Sequence, residues 1–298
     1  MRNWPEYNNK LIQRGEIYVE EGLVEKCKKE LKKLNKRKEG RPFQYANCLI
    51  KVLAIVKVKY LLSYRGAIGL LGSFAKILCS QIKIPDYSVL FRRMNDLQLD
   101  LYDTTSDLTE PLFISIDGSG LRADQGGSWI QKRFGKKKKR YLKIIFAIDI
   151  KSKKIIELAV TTDKTHENKR FRGIVRRASS KHTLDKVAAD PGFDDFRNYE
   201  LLHKKRIRSA IKPKRSSNPH YNWPKYDERK FYRQKQVLLY QKYSYQTWKK
   251  KTGYNYRTLS ESCFSAFKAN FGEGVYSKKF KYARQEVLWK AYVYNLVR

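Results

Sequence analysis

The spacing of apolar positions changes character once along the chain. In the first hundred residues it is helical. Leu23, Cys27, Leu31 and Leu34 recur at three- and four-residue intervals in a strongly charged stretch, predicting a helix that Gly40–Arg41–Pro42 breaks. Tyr45–Tyr64 predicts a second helix, ended at Gly66, and Ala67–Leu78 a third, before an Ile-Lys-Ile-Pro turn. From Asp86, a candidate N-cap, to Leu97 the pattern sets Val89, Leu90, Met94 and Leu97 on one side and includes Arg92 and Arg93. Helix, turn, then a shorter basic helix is the order of a helix-turn-helix. An ordinary helical subdomain with surface arginines fits the same pattern.

Beyond residue 111 the period shortens. Pro111–Gly120 reads as a short apolar strand running into a turn, and Tyr141–Thr162 as two strands joined at Lys151–Lys153. A helix follows over 165–179, a strand ending in a glycine turn over 185–193, a helix over 194–205 and a strand over 206–213. Three strands, then helix–strand–helix–strand, is the order of a ribonuclease H-like mixed sheet with flanking helices. The remainder predicts a helix (227–250) within a polar insertion spanning 213–253, another over 257–270, and a last one over 284–297. The expected class is therefore α/β, preceded by an all-α, helix-turn-helix-like domain, with domains at 1–105 and 106–298.

Charge narrows the partners. Lys and Arg number 65 against 29 Asp and Glu, a formal charge of +36. Such an excess points to a polyanion, bound by phosphate neutralisation and counterion release. A membrane is not expected. The most apolar run, Leu49–Leu62, is short and interrupted by Lys51, Lys57 and Lys59, and the amino terminus lacks a signal-peptide core. Cys27, Cys48, Cys79 and Cys263 are scattered without a CxxC pair, so they read as buried thiols in a reducing compartment. The expected location is cytoplasmic, with the nucleoid.

Candidate chemistry rests on acids. Asp117 ends the first strand and Asp190 a later one, where open α/β sheets place their ligands; either alone also suits a turn. Tyr254, Arg257, Glu261 and Lys268 lie at offsets of 0, 3, 7 and 14. On one α-helix they would share an arc of roughly 60°. Leu259, Cys263, Ala266 and Phe267 would bury the other side. A solvated face with an Arg257–Glu261 pair is the plain alternative. Carboxylates suit phosphodiester chemistry, because two hard divalent ions activate a water and stabilise the leaving oxygen. Only four histidines and no thiol cluster leave a zinc hydrolase without ligands.

The chain resembles insertion-sequence transposases of the DDE class. The pattern Tyr-x2-Arg-x3-Glu-x6-Lys is matched without a gap by Tyr254, Arg257, Glu261 and Lys268, and Asp-x-Gly-aromatic-Asp by Asp190, Gly192, Phe193 and Asp194. A His-acid pair after the third strand is matched by His166–Glu167. The likeness extends to the amino-terminal Trp4–Ile17 and to Ile84–Arg93, so it covers nearly the whole chain. Pro191 and Phe193 depart from the usual basic residue and Tyr, and 71 residues between Asp190 and Glu261 are too few for the large β insertion of some relatives.

The resemblance implies Asp117, Asp190 and Glu261 as catalytic metal ligands for two Mg²⁺ or Mn²⁺ ions. It implies cleavage at element ends and strand transfer into target DNA. Arg257 and Lys268 would grip phosphates, Tyr254 would pack against DNA or nearby backbone, and His166 would be a further DNA contact. Residues 1–105 would bind DNA and oligomerise, with Arg92 and Arg93 dividing base and phosphate contacts. The partners would be double-stranded DNA, as terminal inverted repeats and target, and a second copy in a homodimer. Trp223 or Trp248 could stack on a flipped base, and Lys136–Arg140 reads as a solvated basic loop. Asp149 and Asp163 read as turn residues, with Asp124 and Glu273 the substitute ligands. A ribonuclease H-like nuclease or resolvase, or an inactive DNA-binding regulator, are the alternatives; the intact acids argue against the regulator.

Overall fold

The computed structural model describes residues 3–13, 22–77, 83–123, 133, 141–214 and 228–298. Asp124, Cys79, Lys136–Arg140 and Trp223 lie outside them. The chain forms two compact units, one of residues 1–99 with 279–297 and one of 100–278 with 298. No helix among the described residues is long and apolar enough to cross a membrane.

The first unit is helical: α1 (Trp4–Gln13), α2 (Leu23–Asn35), α3 (Asn47–Lys59), α4 (Tyr64–Ile77) and α5 (Tyr87–Asp96). Its centre is α3, which buries Leu49, Ile50, Leu53, Ala54, Val56 and Val58 and touches α2, α4 and α5. Asp86 caps α5 as its composition suggests, its carboxylate accepting the Ser88 N–H at 2.8 Å. The two arginines of α5 have different settings. Arg92 is exposed, whereas Arg93 turns inward, donating to Asn47 Oδ1 and lying 5.0 Å from the Phe43 ring. Cys27 and Cys48, 21 residues apart, meet across α2 and α3 with their sulfurs 3.0 Å apart. Burial and the adjacent Cys27 push the Cys48 thiol far up, keeping it protonated.

The closing helix, expected inside the catalytic domain, belongs to this unit instead. It runs Phe280–Leu296, and Trp289 Nε1 donates to the Met94 carbonyl at 3.0 Å. Residues 289–295 are all buried, so there is no amphipathic stripe from which its partner could be inferred.

The second unit carries β1 (Leu112–Arg122), β2 (Tyr141–Asp149), β3 (Ile155–Thr162), β4 (Leu184–Ala189) and β5 (Arg208–Ile211) in the order β3-β2-β1-β4-β5. β1 pairs antiparallel with β2, and β2 with β3, while β4 runs parallel to both β1 and β5. This is the ribonuclease H-like order. Helices α6 (Asn168–Ser179) and α7 (Phe196–Lys204) make the crossovers. Ile114, Ile116, Val187 and Ala189 pack with Phe171, Ile174, Val175 and Leu202 in one core on that face.

The predicted helix over 227–250 is two helices, α8 (Glu228–Lys242) and α9 (Tyr245–Thr252). Ser244 caps the second by accepting the Thr247 N–H, which gives the physical reason for the break. α10 (Thr258–Phe271) covers the other face of the sheet: Phe264 stacks on Phe146 at 4.9 Å and Phe267 meets it edge-on at 5.1 Å. The closing helix, Phe280–Leu296, is α11.

Candidate active site

Asp117 is not at the end of its strand. β1 continues to Arg122, because β2 pairs with it through Arg122–Tyr141 and holds Gly118, Ser119 and Gly120 extended. Pairing with β4, however, stops at Ile116–Ala189. Asp117 and Asp190 are therefore each the first residue beyond the last parallel pair, brought together by register. Asp117 pairs with Phe146, so its side chain shares the face covered by α10.

Each oxygen of Asp117 has a partner. Oδ1 accepts the Gly118 N–H at 2.9 Å, and Oδ2 accepts from Arg257 Nη1 at 3.1 Å. The fully buried Ser260 Oγ lies 2.9 Å from that same Oδ2 and 2.6 Å from the Arg257 carbonyl, so its one proton serves either acceptor. Burial pushes the Asp117 carboxyl up, and the charge of Asp190 adds to this; the hydrogen bonds and Arg257 oppose but do not cancel it.

Arg257 joins the strand-borne acid to the third. Its Nη2 donates to Glu261 Oε1 at 2.8 Å, so one guanidinium spans Asp117 and Glu261. Burial weakens the Arg257 charge, but Tyr254, Asp117 and Glu261 outweigh it and its pKa is raised. Glu261 itself is open, with 59% of its side chain exposed.

The four residues matched at helical spacing do not share one α-helix. Tyr254–Arg257 form a 3₁₀ turn, and α10 begins only at Thr258. A tighter turn of about three residues displaces the first two from the projected arc. Gly253 makes the turn possible: its φ is 76°, and a Cβ there would sit 2.9 Å from Phe113 Cε1. α10 buries Ser260, Cys263, Phe264, Phe267 and Phe271, while Leu259 and Ala266, expected on that face, are only partly covered.

Tyr254 is buried against Trp248, ring centroids 5.1 Å apart, with Arg257 over its ring at 6.0 Å; burial pushes its hydroxyl up to about 12. It supports Arg257 from below rather than facing outward. Trp248 is 2% exposed, which removes it as a stacking platform in this arrangement. Lys268 is half-buried on α10 and His166 is exposed, its Nδ1 accepting the Asn168 N–H at 3.3 Å. Glu273 pairs with Arg122 at 3.7 Å, and Asp149 accepts from Ser152 in the β2–β3 turn. Both have structural employment away from the acids.

The Asp190 motif serves two ends. Asp190 Oδ1 accepts the Gly192 N–H at 2.8 Å and caps a 3₁₀ turn over Pro191–Phe193. Asp194 is an anchor: Arg233 of α8 grips it with two bonds of 2.7 Å, and the Lys214 N–H adds a third at 2.9 Å. Arg233, Ser260 and Gly253 were not foreseen. The contacts that bring them to the site, Arg233 with Asp194, Ser260 with Asp117 and Gly253 with Phe113, span at least 39 residues, so no local pattern announces them.

Among the described residues, no three His, Cys, Asp or Glu side chains are already arranged to hold a metal ion. The donor set nevertheless fits a hard divalent cation. Asp117 and Glu167 are carboxylates pushed up by burial and, to a lesser degree, by the charge of Asp190, and Arg257 stands as the cation between Asp117 and Glu261.

The fold is that of the ribonuclease H-like proteins, with acids gathered at one end of the parallel strands. Two families, each described as Transposase DDE domain, match residues 12–125 and 108–296. The chain belongs to the DDE transposases. A solved piggyBac transposase synaptic complex with hairpin DNA is similar at 12% identity, covering 97% of this chain and 74% of that one, with a TM-score of 0.37.

Proposed function

We propose that this transposase cleaves DNA at the ends of its element and joins the freed ends to target DNA, with Asp117, Asp190 and Glu261 as the catalytic acids. The observation that carries the reading is the register-fixed placement of Asp117 and Asp190, each one residue beyond the last parallel pair, and the link from Asp117 through Arg257 to Glu261. Asp117 and Asp190 would hold divalent ions, Mg²⁺ or Mn²⁺, and Glu261 would join them after turning from Arg257. Bound there, a pair of ions supplies an activated water or 3′ hydroxyl and neutralises the leaving oxygen. Arg257, released from the acids, would contact a phosphate with Lys268, while Tyr254 and Trp248 keep its stem in place. His166, exposed near Glu167, would meet the backbone of the same DNA.

The helical unit, residues 1–99 with 279–297, would recognise the terminal repeat, and two copies would act together on paired ends. Arg92 is the arginine free to meet DNA, since Arg93 is engaged with Asn47 and Phe43. Arg92→Ala should weaken binding without lowering the melting temperature, and Arg93→Ala should lower the melting temperature.

The test is cleavage and strand transfer on terminal-repeat DNA in Mg²⁺, Mn²⁺, Ca²⁺ and chelator. Asp117→Asn, Asp190→Asn and Glu261→Gln should each lower both steps by at least about a thousand-fold, roughly 4 kcal/mol, with DNA binding retained. Near wild-type strand transfer by Glu261→Gln in Mg²⁺ would exclude Glu261. Full activity in chelator would exclude the ions, and cleavage without joining would make the protein a nuclease.

A further inference from the structure

A fourth carboxylate reaches this corner from the opposite side of β1. Glu167 immediately precedes α6, whose first turn is tied down by Asn168 donating to Asp195 at 3.1 Å and accepting from Asn198 at 2.6 Å. Its carboxylate occupies the space a side chain at Gly118 would need: a Cβ there would be 2.3 Å from Glu167 Oε2 and 2.6 Å from its carboxyl carbon. Gly118 is the neighbour of Asp117 and lies two residues past the last residue of β1 that pairs with β4. Lys143 Nζ, on β2, lies 3.9 Å from Glu167 Oε1, too far for a good hydrogen bond. A half-buried acid beside two others, held by a weak ion pair, costs folding energy and has no packing role that an apolar residue would not fill better.

We propose that Glu167 is a further residue of the ion site, reaching past Gly118 to accept from the waters of a divalent ion held by Asp117 and Asp190. The proposal rests on the reading of those two aspartates as the ion-binding acids. Gly118 then has a chemical reason: it is the opening through which the fourth acid approaches. Glu167 acts through the ion and is a positioning residue, adding negative charge and an acceptor without replacing any of the three acids.

The experiment is Mn²⁺ binding to the full chain without DNA, followed by loss of the free-ion electron paramagnetic resonance signal. Thermal melting in chelator accompanies each variant. Glu167→Gln should weaken Mn²⁺ about ten-fold, in the range seen when an outer partner of a metal site is lost, with melting in chelator unchanged or raised. Gly118→Ala, which puts a methyl where the carboxylate lies, should weaken it similarly, and Glu167→Asp should fall between. Wild-type affinity in Glu167→Gln, alongside lost binding in Asp117→Asn, overturns the role of Glu167 and leaves the aspartate site standing. Wild-type affinity in Asp117→Asn overturns the aspartate site itself, and this proposal with it.

Discussion

The corner of the sheet that carries Asp117 and Asp190 and the helix that carries Glu261 are built differently. The corner is made by main chain: the last parallel pair, Ile116 with Ala189, sets both aspartates one step beyond it. Behind it, the Asp190 loop is pinned by Arg233 on Asp194, a carboxylate with no exposed side-chain surface. The helix is made by side chains: Phe264 and Phe267 seat α10 on Phe146, and Glu261 is held by an ion pair with Arg257 at a solvent-facing position. Backbone register tolerates almost no displacement, because a slip moves whole side-chain sets. An exposed ion pair costs little to open. Two acids are thus fixed in advance, and the third is free to swing.

The sharpest way to break this contrast is at the anchor. Arg233→Ala leaves Asp194 charged and unpaired by its strongest partner, and should cost about 3–5 kcal/mol in urea unfolding. A cost below about 1 kcal/mol would mean the corner holds without it. Next is the hinge of the helix. Gly253→Ala forces a left-handed alanine against Phe113 and should cost about 1–3 kcal/mol. It should also shift the environment of Trp248, which tryptophan fluorescence would report. Ser260→Ala removes one of the hydrogen bonds to Asp117 and should cost about 1 kcal/mol, with less effect if Arg257 moves in to compensate. The smallest effect belongs to Glu261→Gln, whose stability should stay within about 0.5 kcal/mol of wild type, because its pair is exposed. A large loss there would mean Glu261 is part of the packing and not free to move.

How much of this could be read beforehand follows the same division. The two apolar runs around a polar turn in Tyr141–Thr162, the Asp86 cap and Asp190 directly after β4 are local signals, and the structure keeps them. The true length of β1 was hidden because Gly118-Ser119-Gly120 has turn composition and is extended only by pairing to β2. The one-face projection of Tyr254 and Arg257 failed because a 3₁₀ turn gives no hydropathy signal distinct from an α-helix. Two partners of Asp117, Arg257 in the 3₁₀ turn and Ser260 on α10, are 140 and 143 residues away, and only the fold brings them within reach. Glu167 was noticed as part of a pair with His166, but its approach to Gly118 depends on how β3 delivers the chain to α6.

β1 also sets a gradient of local opening within one strand. Ile114–Ile116 are paired to both β2 and β4, whereas Asp117–Leu121 are paired to β2 and not to β4. Amides in the first stretch should exchange with solvent only through global unfolding, and outward-pointing amides in the second through small local excursions. The boundary between rigid and yielding backbone then falls at Asp117, the first of the three acids proposed for catalysis. A mass-resolved exchange experiment would find the slowest and some of the fastest β1 amides a few residues apart.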